Sequence, residues 1–135
     1  MPRKRPSALR VTTGRRPREK TAVIDGVPLK VVHEIARLEC VHFWPGAVSS
    51  AFRTWVSLAR QRPWPTFSQI PFCPCCSPFD ARDTLERALR VMSPAARRHL
   101  RAKLGPVDDL IRSRTPNDPF ADPAAPWWDR LLWSR

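Results

Sequence analysis

The sequence predicts a mainly α-helical protein: one small helical domain with an N-terminal β-hairpin, preceded by a disordered basic arm and followed by a tryptophan-rich tail. Three observations carry this. Residues 47–62, AVSSAFRTWVSLARQR, place Val48, Phe52, Trp55, Val56 and Ala59 on one helical stripe. Ser93-Pro94 pairs a hydroxyl cap with a proline suited to the first helical position. Sixteen prolines among 135 residues then cut the chain into short elements, because proline lacks an N–H donor and fixes φ. The length suits one domain, divided here into an arm (1–20), a body (21–115) and a tail (116–135).

The arm holds Arg3, Lys4, Arg5, Arg10, Arg15, Arg16, Arg18 and Lys20 against Glu19 alone. It carries few large apolar groups and is expected to be disordered. After it, TAVIDGVPLKVV (21–32) sets two apolar, β-branched runs around Asp25-Gly26. That dipeptide supports a type I′ turn, hence the hairpin, with Pro28 restricting its strand to an edge or a bulge. A short helix is expected over about residues 32–39. Pro45-Gly46 breaks the chain ahead of the amphipathic helix, and Pro63 stops that helix.

Residues 63–78 contain five prolines and read as an extended loop packed by Trp64, Phe67, Ile70 and Phe72. A second amphipathic helix is expected from about residue 81 to 91, capped by Asp80. A third opens at Ser93-Pro94 and ends at Gly105, with a short fourth over 107–112 after Pro106. In the tail, WWDRLLWSR is a short apolar helix candidate.

The net charge of +12 is concentrated in the arm; the other 115 residues hold 16 basic and 11 acidic side chains. Such a distribution attracts polyanions through phosphate neutralisation and counterion release. The candidate nucleic-acid contacts are Arg3, Lys4, Arg5, Arg15, Arg16 and Arg18 in the arm, with Arg97, Arg98 and Arg101 on the third helix. Pro94, Ala95 and Ala96 offer no base-reading groups at that helix's start, which favours backbone contact over sequence readout.

Ile70 to Cys76, IPFCPCC, gathers three of the four cysteines. A C-x-x-C turn lets two thiolates converge on a tetrahedral ion, so a structural zinc knuckle is expected from Cys40, His42, Cys73 and Cys76. Cys75 is an alternative to Cys76, and His33 and His99 are reserve ligands. Cys40 and His42 would point the same way if Val41 lay in a strand. Cys73-Pro74-Cys75-Cys76 also resembles the active-site motif of glutaredoxin-like proteins. That resemblance implies thiol redox chemistry at a helix N-terminus following a strand.

Trp127, Trp128 and Trp133, with Leu131 and Leu132, form an apolar cluster that either folds back on the body or anchors a protein partner. The principal expectation is therefore a basic nucleic-acid- or polyanion-associated protein with a zinc knuckle. The alternatives are an interaction adaptor and a thiol redox protein. H-E-x-x-H, P-loop and dinucleotide fingerprints are all missing from the sequence, so no enzyme class is favoured. No apolar run approaches the ~20 residues that span a bilayer. Cysteine usage and the lack of a secretory-type leader point to a reducing, cytoplasmic setting.

Overall fold

The computed structural model describes residues 24–73 and 76–134. The arm, and with it the expectation of disorder, lies outside them. Four helices succeed one another: α1 (Leu29–His42), α2 (Ala47–Arg60), α3 (Pro78–Val91) and α4 (Pro94–Arg114). Single 3-10 turns occur at Phe67–Gln69 and Trp127–Asp129. The helical class is as the sequence predicts, but no β-hairpin occurs among the described residues, where its expected second strand is helical from Leu29. Asp25-Gly26 does make a turn, with Gly26 at φ 76°. The chain leaves that turn as a helix, because Pro28 sits at the N-cap with a fixed φ of −57°. Val31, Val32, Ile35 and Glu39 then fall on one helical face, and all four are buried. Burial of that face outweighs the strand preference of β-branched side chains. No strand occurs among the described residues, where the one β-bridge pairs Asn117 with Leu131.

Two kinds of side-chain cap start helices α2 to α4. Gly46, at φ 83°, precedes α2 without a side-chain cap of its own. The buried carboxylate of Glu39 on α1 serves instead, accepting from Gly46 N at 2.8 Å and Val48 N at 2.9 Å. A negative group there also meets the positive end of the helix dipole. Helix α3 begins one turn before the Asp80 cap predicted from sequence. Its cap is Ser77, whose hydroxyl accepts from Asp80 N, with Pro78 at the first position. Ser93 and Pro94 repeat that arrangement on α4, as expected.

Helix α4 does not end at Gly105. It runs 21 residues, through Pro106 to Arg114. An interior proline costs roughly 3 kcal/mol. The offset comes from tertiary burial on both sides of it: Leu100 and Leu104 before, Asp108 and Ile111 after.

Helix α2 has its most extensive packing against α3 and also lies on α4. Trp55, Leu85, Leu100, Leu104 and Ile111 are the centre of the core. In the proline-rich loop Trp64 and Ile70 pack inward, whereas Phe67 and Phe72 are exposed and lean on each other with centroids 5.0 Å apart. The tail returns to the helices. Asp118 N bonds to Arg130 O at 2.7 Å and Leu132 N to Pro116 O at 2.8 Å, closing a loop over 117–131. Trp128 and Leu131 are buried in the core, and Trp127 and Trp133 pack against it. The predicted tail helix is reduced to one 3-10 turn.

A buried polar centre joins these parts. Arg82 on α3 is 5% exposed and forms a bidentate pair with Asp108 on α4, at 3.2 and 3.1 Å. Asp108 also accepts from Trp55 Nε1 at 2.8 Å. The Arg82 guanidinium lies 4.2 Å from the ring centre of Trp128, whose own N–H reaches Asp83 at 2.8 Å. Three helices and the tail thus meet at one arginine.

Candidate polyanion-binding cleft

Helix α2 turns two faces to its surroundings. Trp55 looks into the core, while Ser49, Phe52, Arg53, Val56 and Arg60 recur at i, i+3, i+4, i+7 and i+11 along another side. Opposite them stand Lys103, Pro106 and Val107 of α4, with the Ile24–Asp25 turn at the end. Together these enclose a cavity of about 440 Å³. Its apolar lining comes from Ile24, Phe52, Val56, Pro106 and Val107; its cations are Arg53, Arg60 and Lys103, against the single carboxylate of Asp25. Lys103 is held close to the turn: its Nζ stands where a Cβ at Gly26 would project. Glycine is therefore required at residue 26 twice, for its positive φ and for the ammonium beside it.

Two more cavities lie along the α2–α3 side. One of about 280 Å³ is lined by Arg53, Gln61, Gln69, Ile70 and Cys76 among others. A third, about 330 Å³, lies beside the exposed Trp44 and is bordered by Ser50, Thr54 and Asp80. Arg53 contributes to the first two clefts named here, so it stands on the ridge between them.

The residues singled out from sequence have varied fates. Arg3, Lys4, Arg5, Arg15, Arg16 and Arg18 lie outside the described residues. Arg97 is committed internally: its Nε donates to Leu89 O at 2.7 Å and its Nη2 to Met92 O at 3.1 Å, capping the end of α3. Arg98 and Arg101 are exposed on α4. At 100° per residue, Arg101 is about 200° around the helix from Lys103 and Arg98 about 140°. Neither joins the cleft.

Cys40 and His42 are both exposed on α1, not in a strand, so they project about 200° apart rather than together. The shared orientation expected of them is corrected by that helix. Cys73 and Cys76 bracket a tight turn, with Cys76 N at 3.0 Å and Ser77 N at 2.8 Å from Cys73 O. Cys75 lies outside the described residues. Among the described residues no group of three or more His, Cys, Asp or Glu side chains is assembled for a metal. Helix α3 does start just after the cysteine turn, as the glutaredoxin-like resemblance implies, but without the preceding strand among the described residues.

Of the tail cluster, Trp128 and Leu131 are buried and Leu132 is exposed. Trp133 stacks on Trp64 at 5.1 Å, and Arg112 covers Trp127 at 4.0 Å. Folding back on the body, the first of the two expectations, describes them. Sequence reasoning missed Arg53, Arg60, Lys103 and Phe52 as a group. The i, i+7 spacing of Arg53 and Arg60 was visible beside the apolar stripe. Lys103 was not, because only packing brings α4 to that face.

No family model, no curated protein and no solved structure matches this chain. No helix among the described residues is long and apolar enough to cross a membrane. Among the described residues the fold and site are thus four helices with a basic cleft that Ile24, the first of those residues, helps to line.

Proposed function

We propose that the protein associates with nucleic acid or a chemically similar polyanion, using the arm and the α2–α4 cleft together. One observation carries this reading. Ile24, where the arm reaches the described body, lines the same cleft as Arg53, Arg60 and Lys103. Eight basic side chains precede that residue in the sequence and three more line the cleft, so one chain carries both sets. Like charges so gathered cost self-repulsion in the free protein, and a polyanion relieves it while releasing its own condensed counterions.

The test is binding to a random-sequence DNA or RNA over a range of salt. Affinity should fall steeply with salt, and removing residues 1–20 should flatten that dependence. Arg53→Gln with Arg60→Gln in the full chain should lower the slope by about one per lost phosphate contact. Salt-independent binding, or a slope unmoved by either change, refutes the reading. Zinc in a knuckle remains a separate proposal, supported by the Cys73–Cys76 turn. Elemental analysis tests it: about one equivalent of zinc supports it and none removes it.

A further inference from the structure

The cleft is more than a charged surface. Its lining sets Arg53, Arg60 and Lys103 beside the apolar side chains of Phe52, Val56, Val107 and Ile24, with Ser49 and Asp25. A duplex presents phosphates outward and keeps its bases stacked inside, so it has nothing to offer those apolar side chains. A single strand does, because its bases turn out and stack on aromatic rings while a basic groove tracks the backbone. Phe52 is half-buried, packed against the core yet lining the cavity, so its ring is held in place by the fold. The cavity of about 440 Å³ falls in the roughly 300–1,000 Å³ range of small-ligand pockets, which accommodates a nucleotide-sized group.

We infer that the α2–α4 cleft takes an unstacked nucleobase of a single-stranded nucleic acid against Phe52. Arg53, Arg60 and Lys103 hold the flanking phosphates. This rests on the polyanion reading and goes further, since it names single strands as the ligand class. The ligand must combine an anionic backbone with flat apolar groups. An acidic peptide carries a flat group only where its sequence includes an aromatic residue, whereas every nucleotide of a strand carries one, and Phe52 lining the cleft with the three cations favours the nucleic acid.

The experiment uses fluorescence anisotropy with the full chain and three labelled probes of equal length: oligo-dT, an abasic strand of the same charge, and a duplex. Unlabelled polyglutamate is the competitor. Oligo-dT should bind at least fivefold more tightly than the abasic strand, matching the lower end of about 1–3 kcal/mol per stacked base. Phe52→Leu, which keeps an apolar side chain against the core, should weaken oligo-dT by at least fivefold and leave the abasic strand and duplex unchanged. Polyglutamate should displace the abasic strand more readily than oligo-dT.

Equal affinity for all three probes overturns the inference while leaving the polyanion reading intact. So does a Phe52→Leu loss shared equally by every probe, or equal displacement by polyglutamate. No binding to any probe overturns both. The abasic comparison needs only the unaltered protein, so the inference can be refuted even if the variant fails to fold.

Discussion

Arg82 illustrates how one side chain organises this fold. Its charge is removed from water, and what makes that tolerable is the bidentate carboxylate of Asp108, with Glu86 at 3.2 Å and the Trp128 ring beneath. Removing one partner leaves the other as an uncompensated buried charge, which costs about 3–5 kcal/mol. Arg82→Met should therefore destabilise the protein by that amount in urea unfolding. Arg82→Met with Asp108→Asn should be more stable than Arg82→Met alone, because the introduced amide is neutral and its oxygen still accepts from Trp55. Two surface carboxylates act in opposite directions with pH. Glu34 accepts from Ser93 N at 2.6 Å and Ser93 Oγ at 2.8 Å, and the backbone bond, chiefly, holds its pKa below the ordinary value. Its contribution is present above the usual carboxylate range and is lost as pH falls through its lowered folded value. Asp129 is pushed up, first by burial and then by Asp83 and Asp80, so its contribution is lost as pH rises through its folded value. Melting temperatures across pH should show Glu34→Gln losing stability at neutral pH but not in strong acid. Asp129→Asn should gain at neutral pH, with the gain vanishing in acid.

At the level of elements, α4 and the turn at Gly26 each hold a local conflict resolved by packing. Pro106 interrupts the hydrogen-bond ladder of α4, yet the helix continues because Asp108 and Ile111 are anchored beyond it. Pro106→Ala should restore one backbone donor and stabilise the protein by about 1–3 kcal/mol, read from urea midpoints. Gly26→Ala should do the reverse. A side chain at φ 76° is strained by about 1 kcal/mol or more, and the new methyl must displace the Lys103 ammonium. Loss of stability should accompany weaker polyanion binding, since Lys103 would leave its place in the cleft. The same competition explains which elements the sequence made legible. Ser93-Pro94 is a local signal and was readable directly; the α2 stripe was readable in part, since Val48, Trp55 and Ala59 are buried, whereas Phe52 and Val56 lie at the edge of the buried face that Ala51 and Leu58 complete. Asp25-Gly26 was correctly a turn, but its exit into a helix depended on burying Val31, Val32 and Ile35 against distant partners.

Across the whole molecule, the tail completes the core and does not hang from it. Trp128 and Leu131 are both less than a tenth exposed, and burying each such side chain contributes about 1.5–3 kcal/mol. A chain ending at residue 115 should lose about 3–6 kcal/mol, a large part of the 5–15 kcal/mol typical of a domain. Far-UV circular dichroism in urea would register this as an early, broadened transition. Deleting residues 1–20 should leave stability nearly unchanged and act on polyanion binding instead. Those two outcomes together would separate a structural tail from the proposed binding arm.

Local chemistry along the chain was enough to establish the helical class, two of the helix starts, the inner residues named for α3 and α4 and the charge of the arm. These depend on neighbours within a turn or two: caps, proline geometry, spacing at 3.6 residues. Tertiary packing alone set the run of α4 through Pro106, the opposed directions of Cys40 and His42, the pairing of Arg82 with Asp108, and the meeting of Ile24, Arg53 and Lys103 in one cleft. Those features join residues far apart in the chain. Their energies come from burial and desolvation, which exist only after the helices have come together.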